Sequence, residues 1–283
     1  MEKGIYGNGQ KYESYLENGG MVDGKIQESF IDKQGNTQYI YMASNAFEEG
    51  REWEREAQIS YFNTDQVYQF ERNVGIRISG ESTRSRSHKS LKLYARDIYG
   101  DGNPMNLEWN GEERAWKEFK LRNGGNECDT NKIKDAFIQT LVKECNVATQ
   151  DASPCILFIN GEYWGFYFLT ERYTEEYFQK YYGISEDNIL MIDSGGVAIG
   201  EEEDYEEYLD LINYLSGTDF TDKRNYDELL KKVDMSSFID FYCINLYIDN
   251  QDIDFGRNMA LWKSKRKGMV LEQQNMKMRD GAG

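Results

Sequence analysis

The chain is poor in the residues that build metal sites and covalent staples. A single histidine, His88, stands among 283 residues, and the four cysteines (Cys128, Cys145, Cys155, Cys243) are scattered with no CxxC pair, which argues against structural zinc. Three of the four lie in apolar helical or strand contexts, where Cys is expected to serve as a small buried hydrophobe. With only two prolines and no Pro- or Ser-rich linker, the sequence reads as one continuous globular unit without internal repeats. No apolar run approaches the about 18 residues needed to cross a bilayer. The opening Met-Glu-Lys-Gly-Ile-Tyr lacks the basic-then-apolar pattern of a signal peptide. Positive charge is also scarce: 33 Lys and Arg against 50 Asp and Glu give a net charge of −17. That excess argues against nucleic acid or an anionic membrane as partner and favours basic or neutral ones.

What remains is ample for a core without disulfides. Aromatic residues make up 14% of the chain, with 21 Tyr, a bias that fits exported bacterial surface proteins and fits plain packing as well. Residues 1–60 are rich in Gly and Asn with short strand candidates such as Thr37 to Met42, an irregular β-rich portion of the same unit. From Gly75 the pattern sharpens. Gly75-Ile-Arg-Ile-Ser-Gly80 and Ser90-Leu-Lys-Leu-Tyr-Ala-Arg96 alternate apolar with polar around a polar stretch, predicting strand, loop, strand. The loop offers Gly80, Ser82, Arg84 and Arg86, with Lys89 at the mouth of the second strand. Glycine-freed amides, hydroxyls and guanidinium groups suit a phosphate, and a strand-borne Lys can reach its oxygens. A solvated basic hairpin loop is the alternative.

Ile133, Phe137, Ile138, Leu141 and Val142 fit one helical face, expected to be mostly core and capped by Asp129 or Thr130. Asn160-Gly161 between two β-rich runs predicts a tight hairpin over Cys155–Glu171. Glu171 reads either as a carboxylate supporting Lys89 or as a surface ion pair or helix-capping acid. The acidic run 201–207 lacks a calcium-loop pattern and precedes Tyr205, Tyr208, Leu209, Ile212 and Leu215 at helical spacing, with Gly217 as the stop. Met235, Phe238, Ile239, Tyr242 and Leu246 trace a buried helix face ending near Asp249. A polar loop, Asn250-Gln-Asp252-Ile-Asp254-Phe-Gly-Arg-Asn258, then leads to a strand candidate, Met259 to Trp262. Protein kinases place a catalytic Asp and a metal-binding Asn in such a loop with four residues between them; here five residues separate Asp252 from Asn258. An Asx-rich helix cap is the alternative.

These pieces, in this order, resemble the CotH kinase family of spore-coat proteins. Gly80-x-Ser82-Thr-Arg84 with Lys89-Ser-Leu resembles its phosphate loop. Asn160-Gly-Glu-Tyr-Trp-Gly-Phe-Tyr167 with Glu171 resembles its central hairpin, and Asn250-x-Asp252 with Asn258 its catalytic loop. The resemblance implies an α+β, atypical two-lobed protein-kinase-like fold over 61–268. It implies ATP- and Mg²⁺-dependent phosphorylation of Ser in a protein substrate, such as a basic, Ser-rich coat protein, in a spore coat or exported surface layer. By the same resemblance Gly80, Ser82, Arg84, Lys89 and Glu171 bind nucleotide, Asp252 accepts the proton, and Asn258 with Asp254 binds metal. Where the family often carries Trp-Pro after the Asp, this chain has Ile253-Asp254, so Asp254 can share the role of Asp252.

The family also carries a later Trp-bearing strand ending in a metal-binding Asp-x-Asp, absent from residues 259–283. The expectation is a fold incomplete at the C-terminus, with an aberrant tail over 269–283 and little kinase activity in this chain. Read one base earlier, codons for Met269–Gly283 permit Asp-Gly-Ala-Gly-Thr-Thr-Lys-Tyr-Glu-Asp-Ala-Arg-Trp-Arg-Trp, so a shift near Gly268 is expected in the coding DNA. Sequencing that DNA tests it, and an intact gene with an unrelated shifted frame counts against it. The other class of function is a non-catalytic coat scaffold or glycan-binding surface module, suited to an aromatic, acidic surface.

Overall fold

The computed structural model describes residues 45–109, 112–250, 253, 258–265 and 277–278, together with 21–22, 25–26, 29–31, 35 and 37–39. Strands and helices are mixed, and the chain forms two compact units: residues 1–132 with 152–171, and residues 133–151 with 172–283.

The first unit opens with short strands β1 (Met21–Val22), β2 (Lys25–Ile26), β3 (Ser29–Ile31) and β4 (Thr37–Tyr39), paired β1 with β2 and β3 with β4. Its body is an antiparallel six-stranded sheet made of β5 (Arg55–Phe62), β6 (Tyr68–Ser79), β7 (Ser90–Tyr94), β10 (Glu118–Arg122), β11 (Ala152–Ile159) and β12 (Glu162–Thr170). These lie in the order β11-β12-β10-β7-β6-β5. A separate hairpin is formed by β8 (Met105–Trp109) and β9 (Glu112–Trp116). Successive strand residues face opposite sides, so Val74, Ile78, Leu91, Leu93, Phe119 and Leu169 share a core with Trp109 and Trp116. The two Trp rings stack at 4.7 Å.

The predicted strand–loop–strand at 75–96 is β6, a polar connection and β7, and the predicted hairpin is β11–β12. Asn160 and Gly161 at its tip both have positive φ, 53° and 81°, the left-handed pair that a type I′ turn demands and that Asn-Gly tolerates best.

The second unit contains α1 (Lys134–Leu141), α2 (Glu175–Tyr182), α3 (Tyr205–Gly217), α4 (Lys223–Lys232) and α5 (Met235–Tyr247). Its sheet runs β14 (Gly196–Ile199), β13 (Ile189–Asp193), β15 (Ala260–Ser264), β16 (Lys277–Met278). Strand β13 is apolar on both sides because both are covered. Leu190 and Ile192 join Leu261, Phe241 and Ile244 in one cluster, while Ile189 and Met191 join Phe178 and Trp262 in another. The acidic run 201–207 opens with a capping box between Glu201 and Asp204 on the 3₁₀ turn Glu202–Asp204, which leads into α3, and α3 stops at Gly217 as expected. No helix among the described residues is long and apolar enough to cross a membrane.

Several expectations need correction. Helix α1 begins at Lys134, with Ile133 rather than Asp129 or Thr130 at its N-cap, and only Ile138 and Val142 of the predicted face are buried. Ile133, Phe137 and Leu141 are exposed, since so short a helix covers only a narrow stripe. In α5 the buried stripe is Ser237, Phe241, Ile244 and Asn245, whereas Ile239 and Leu246 face outward. That helix is apolar nearly all round, so hydrophobicity alone could not fix its phase. Cys145 and Cys243 are exposed, and all four cysteines are free. Lys277–Met278 pairs with β15, although two residues are too few to show a period in sequence.

Candidate functional site

In the first unit β6 runs into Gly80, whose φ of 108° is a conformation that only glycine adopts without strain. A Cβ there would collide with Thr83 Oγ1. A 3₁₀ turn, Ser82–Ser85, follows. Arg84, at its third residue, is buried and points back into its own chain. Its Nε donates to the Gly80 carbonyl, and Nη1 donates to the carbonyls of Ala46 at 2.9 Å and Glu48 at 3.1 Å. Its Nη2 pairs with Glu49 at 2.8 Å. Burial pushes the Arg84 pKa down, Glu49 pulls it up, and the nearby charge of Arg77 pushes it down again.

Lys89 is likewise buried. Its ammonium donates to the carbonyls of Arg84 at 2.6 Å and Arg86 at 2.7 Å, and burial holds its pKa below the usual lysine value. Asn123 Nδ2 donates to the His88 carbonyl at 2.6 Å, and the Tyr167 hydroxyl donates to the Lys89 carbonyl at 3.1 Å. The loop is therefore preorganised by side chains reaching its backbone. Arg86, exposed, pairs with Asp129 at 3.0 Å.

The structure brings Gly80, Ser82, Arg84 and Lys89 together in this loop. Glu171 is buried directly after β12. The strand register sets Leu91 beside Leu121 and Arg122 beside Phe168. Extended by one or two residues, it puts Lys89 level with Asn123 and Tyr167, and Glu171 level with Phe119 and Leu93. Lys89 and Glu171 thus stand four residues apart along the strands, roughly 13 Å at the usual rise.

A cavity of about 120 Å³ opens beside the loop, lined among others by Arg77, Arg84, Lys92, Tyr94, Glu48 and Glu49. Sequence reasoning passed over Arg77 and Lys92, the polar members of the Gly75–Gly80 and Ser90–Arg96 alternations. That alternation was their signal: it puts both on the face away from Ile78, Leu91 and Leu93, whereas Lys89 has the core-facing parity.

In the second unit α5 ends in an Asn pair. Asn250 donates from its backbone to the Asn245 carbonyl at 2.9 Å and from Nδ2 to Asn245 Oδ1 at 2.7 Å, so Asn250 serves the helix end. Asp252 and Asp254 lie outside the described residues. Asn258 sits just before β15 with φ of 56°, where Asn is among the few tolerated side chains. Among the described residues no group of three or more His, Cys, Asp and Glu is placed to hold a metal ion.

A family model described as CotH kinase protein matches residues 76–272. The chain belongs to the CotH kinase family. The matched span contains the Gly80–Lys89 loop, the β11–β12 hairpin with Glu171, and the segment from Asn250 to Asn258. No curated protein matches the chain. Membership makes a kinase-like function the assignment, and CotH kinases as kinase-like proteins use a nucleotide and a metal in general. Arg84 at the cavity directs its donors to Gly80, Ala46, Glu48 and Glu49, so Arg77 and Lys92 are the lining cations that a phosphate could meet there, beside Glu48 and Glu49.

Proposed function

We propose that this chain is a CotH-type kinase unit that binds ATP with Mg²⁺ and is directed at Ser residues of a protein substrate. The observation that carries the reading is the family match over 76–272, which spans all three motif segments in order. The mixed helix and strand content is compatible with an atypical two-lobed kinase-like fold. In this reading the Gly80–Lys89 loop frames the phosphates, and Arg84 and Lys89 act by holding that loop, since their donors point at Gly80, Ala46, Glu48, Glu49, Arg84 and Arg86. Asp252 takes the proton of the attacking hydroxyl. Asn258 with Asp254 would hold the Mg²⁺, which supplies neutralisation of the phosphate oxygens. The setting is proposed as a spore coat or exported surface layer, with basic coat proteins as partners for the −17 chain.

Thermal melting with and without ATP tests this. At a hundred times Kd a ligand stabilises by about 2.7 kcal/mol, a rise of several degrees for a chain of this size. A melting curve that ignores ATP at millimolar concentration would sink the nucleotide reading.

A further inference from the structure

The end of α5 is held more tightly than a helix end requires. Beyond its last residue, Tyr247, the Asp249 N–H bonds to the Leu246 carbonyl at 3.3 Å and the Asn250 N–H to the Asn245 carbonyl at 2.9 Å. In this paired pattern a left-handed residue reverses the chain, a place usually given to glycine. Here it falls to Asp249, whose φ is 52°. Side chains add a second clasp across the same reversal. Asn245 is only 3% exposed; its Nδ2 donates to the Phe241 carbonyl at 2.8 Å, and its Oδ1 accepts from Asn250 Nδ2 at 2.7 Å.

Helix α2 supplies a comparison within the same unit. It too ends through a left-handed residue, Gly183 at φ 65°, after which the Ile184 N–H bonds back to the Phe178 carbonyl at 3.3 Å. Glycine makes that turn, and Phe178 and Ile184 have no polar side chains to join. Helix α5 departs from this pattern twice. It accepts strain at Asp249 that glycine would avoid, and it puts an amide into the core where an apolar side chain would need no partner. The gain is direction. A side chain confines a left-handed residue to a small region of φ and ψ, whereas glycine ranges widely, and the Asn245–Asn250 bond fixes the residue that follows. Backbone strain of this kind persists where the surrounding structure holds it and the geometry is used.

We propose that Asn245 and Asp249 are positioning residues that fix where the chain leaves α5, two residues before Asp252. The inference deepens the proposed kinase function and rests on its assignment of Asp252 as proton acceptor. Asn245 acts through Asn250, and Asp249 through the direction in which it sends the backbone. The motif resemblance begins at Asn250 and gives neither of them a role.

The test uses the full 283-residue chain with Asn245→Leu, similar in volume and without polar side-chain atoms, and Asp249→Gly, each checked for folding by circular dichroism. Amide hydrogen exchange at Asn250 reads the clasp. Labelled ATP with Mg²⁺ and a basic Ser-containing peptide reads phosphate transfer, with kcat and KM for ATP taken as ratios to the parent. Asn245→Leu is expected to speed exchange at Asn250 by about tenfold or more, and to lower kcat by about tenfold or more with KM within about twofold. Asp249→Gly is expected to melt no lower than the parent, because strain is relieved, yet to lower kcat by about threefold or more. A merely structural role predicts the same melt with kcat unchanged. Should Asn245→Leu fail to fold, Asp249→Gly decides by its kcat. Unchanged exchange at Asn250 in Asn245→Leu overturns the clasp, and unchanged kcat in the folded variants overturns the positioning role. A parent chain that transfers no phosphate overturns the Asp252 reading, and with it the purpose given to Asn245 and Asp249, even where the exchange result shows the clasp.

Discussion

Ser90 and Asn123 hold each other twice: the serine hydroxyl donates to Asn123 Oδ1 at 2.8 Å and accepts the Asn123 backbone N–H at 3.0 Å. Asn123 also donates to His88 and accepts from the Gly125 N–H at 2.9 Å, so one fully buried amide ties the end of β10 to the start of β7 and to the loop before it.

Replacing that amide should therefore cost more than one hydrogen bond. Asn123→Ala strands Ser90, the His88 carbonyl and the Gly125 N–H in a buried place, and a loss of about 2–4 kcal/mol is expected. Urea unfolding checks it, and a midpoint within error of the parent would show that the network does not hold the loop.

Glu54 sets an acid limb. Burial raises its pKa, but hydrogen bonds from Arg96 and Tyr99 and the charges of Arg96 and Arg77 outweigh that and leave it below the usual 4.5. A depressed carboxyl contributes stability that is fully present above 4.5 and is lost as pH falls through the lower folded value. Glu54→Gln is expected to flatten the decline of stability below pH 4.5. At pH 7 it should cost about 3 kcal/mol, because Arg96 is left in a half-buried site without its carboxylate. Melting temperature against pH for both proteins decides the matter.

Lys89 is expected to report first in the ligand-free protein. Lys89→Ala removes the donor that closes Arg84 and Arg86 into the loop, for a loss of about 2 kcal/mol without any ligand. A ligand-free melt equal to that of the parent would mean that the lysine does not hold this loop.

For the metal, Asn258→Gly is the cleanest probe, since glycine accepts the positive φ there and only the side chain is lost. The expected outcome is loss of whatever increment Mg²⁺ adds to the ATP-induced shift, read against the variant's own ligand-free melt. An increment that persists would remove Asn258 from the metal site.

Much of the first unit was legible because its signals are local. The Asn160-Gly161 turn fixes a hairpin by backbone conformation alone, and the alternations at 75–80 and 90–96 fix two strands. Helices α2 and α4 and strand β5 went unread, their patterns being short or largely polar. The faces of α1 and α5 were misjudged because burial depends on what packs against a helix. The loop carrying Gly80, Ser82, Arg84 and Lys89 could be located from residue type, yet where Lys89 and Arg84 point is decided by carbonyls from distant positions such as Ala46 and Glu48. The alternation puts Arg77 and Lys92 on the polar face, but that Arg77 lies beside Lys92 and Lys92 beside Lys120 could not be read, because lateral neighbours are set by register between strands far apart in sequence.

Strand β11 is the outermost strand at its side of the six-stranded sheet, and Pro154 lies within it, opposite Phe168. A proline has no N–H to offer, which is why it is tolerated in an edge strand. Further along, Ile156 and Phe158 are exposed, an apolar pair that would otherwise invite a second chain to extend the sheet. Pro154 interrupts the ladder such a chain would need, so this margin is protected against fibrous stacking by one missing hydrogen.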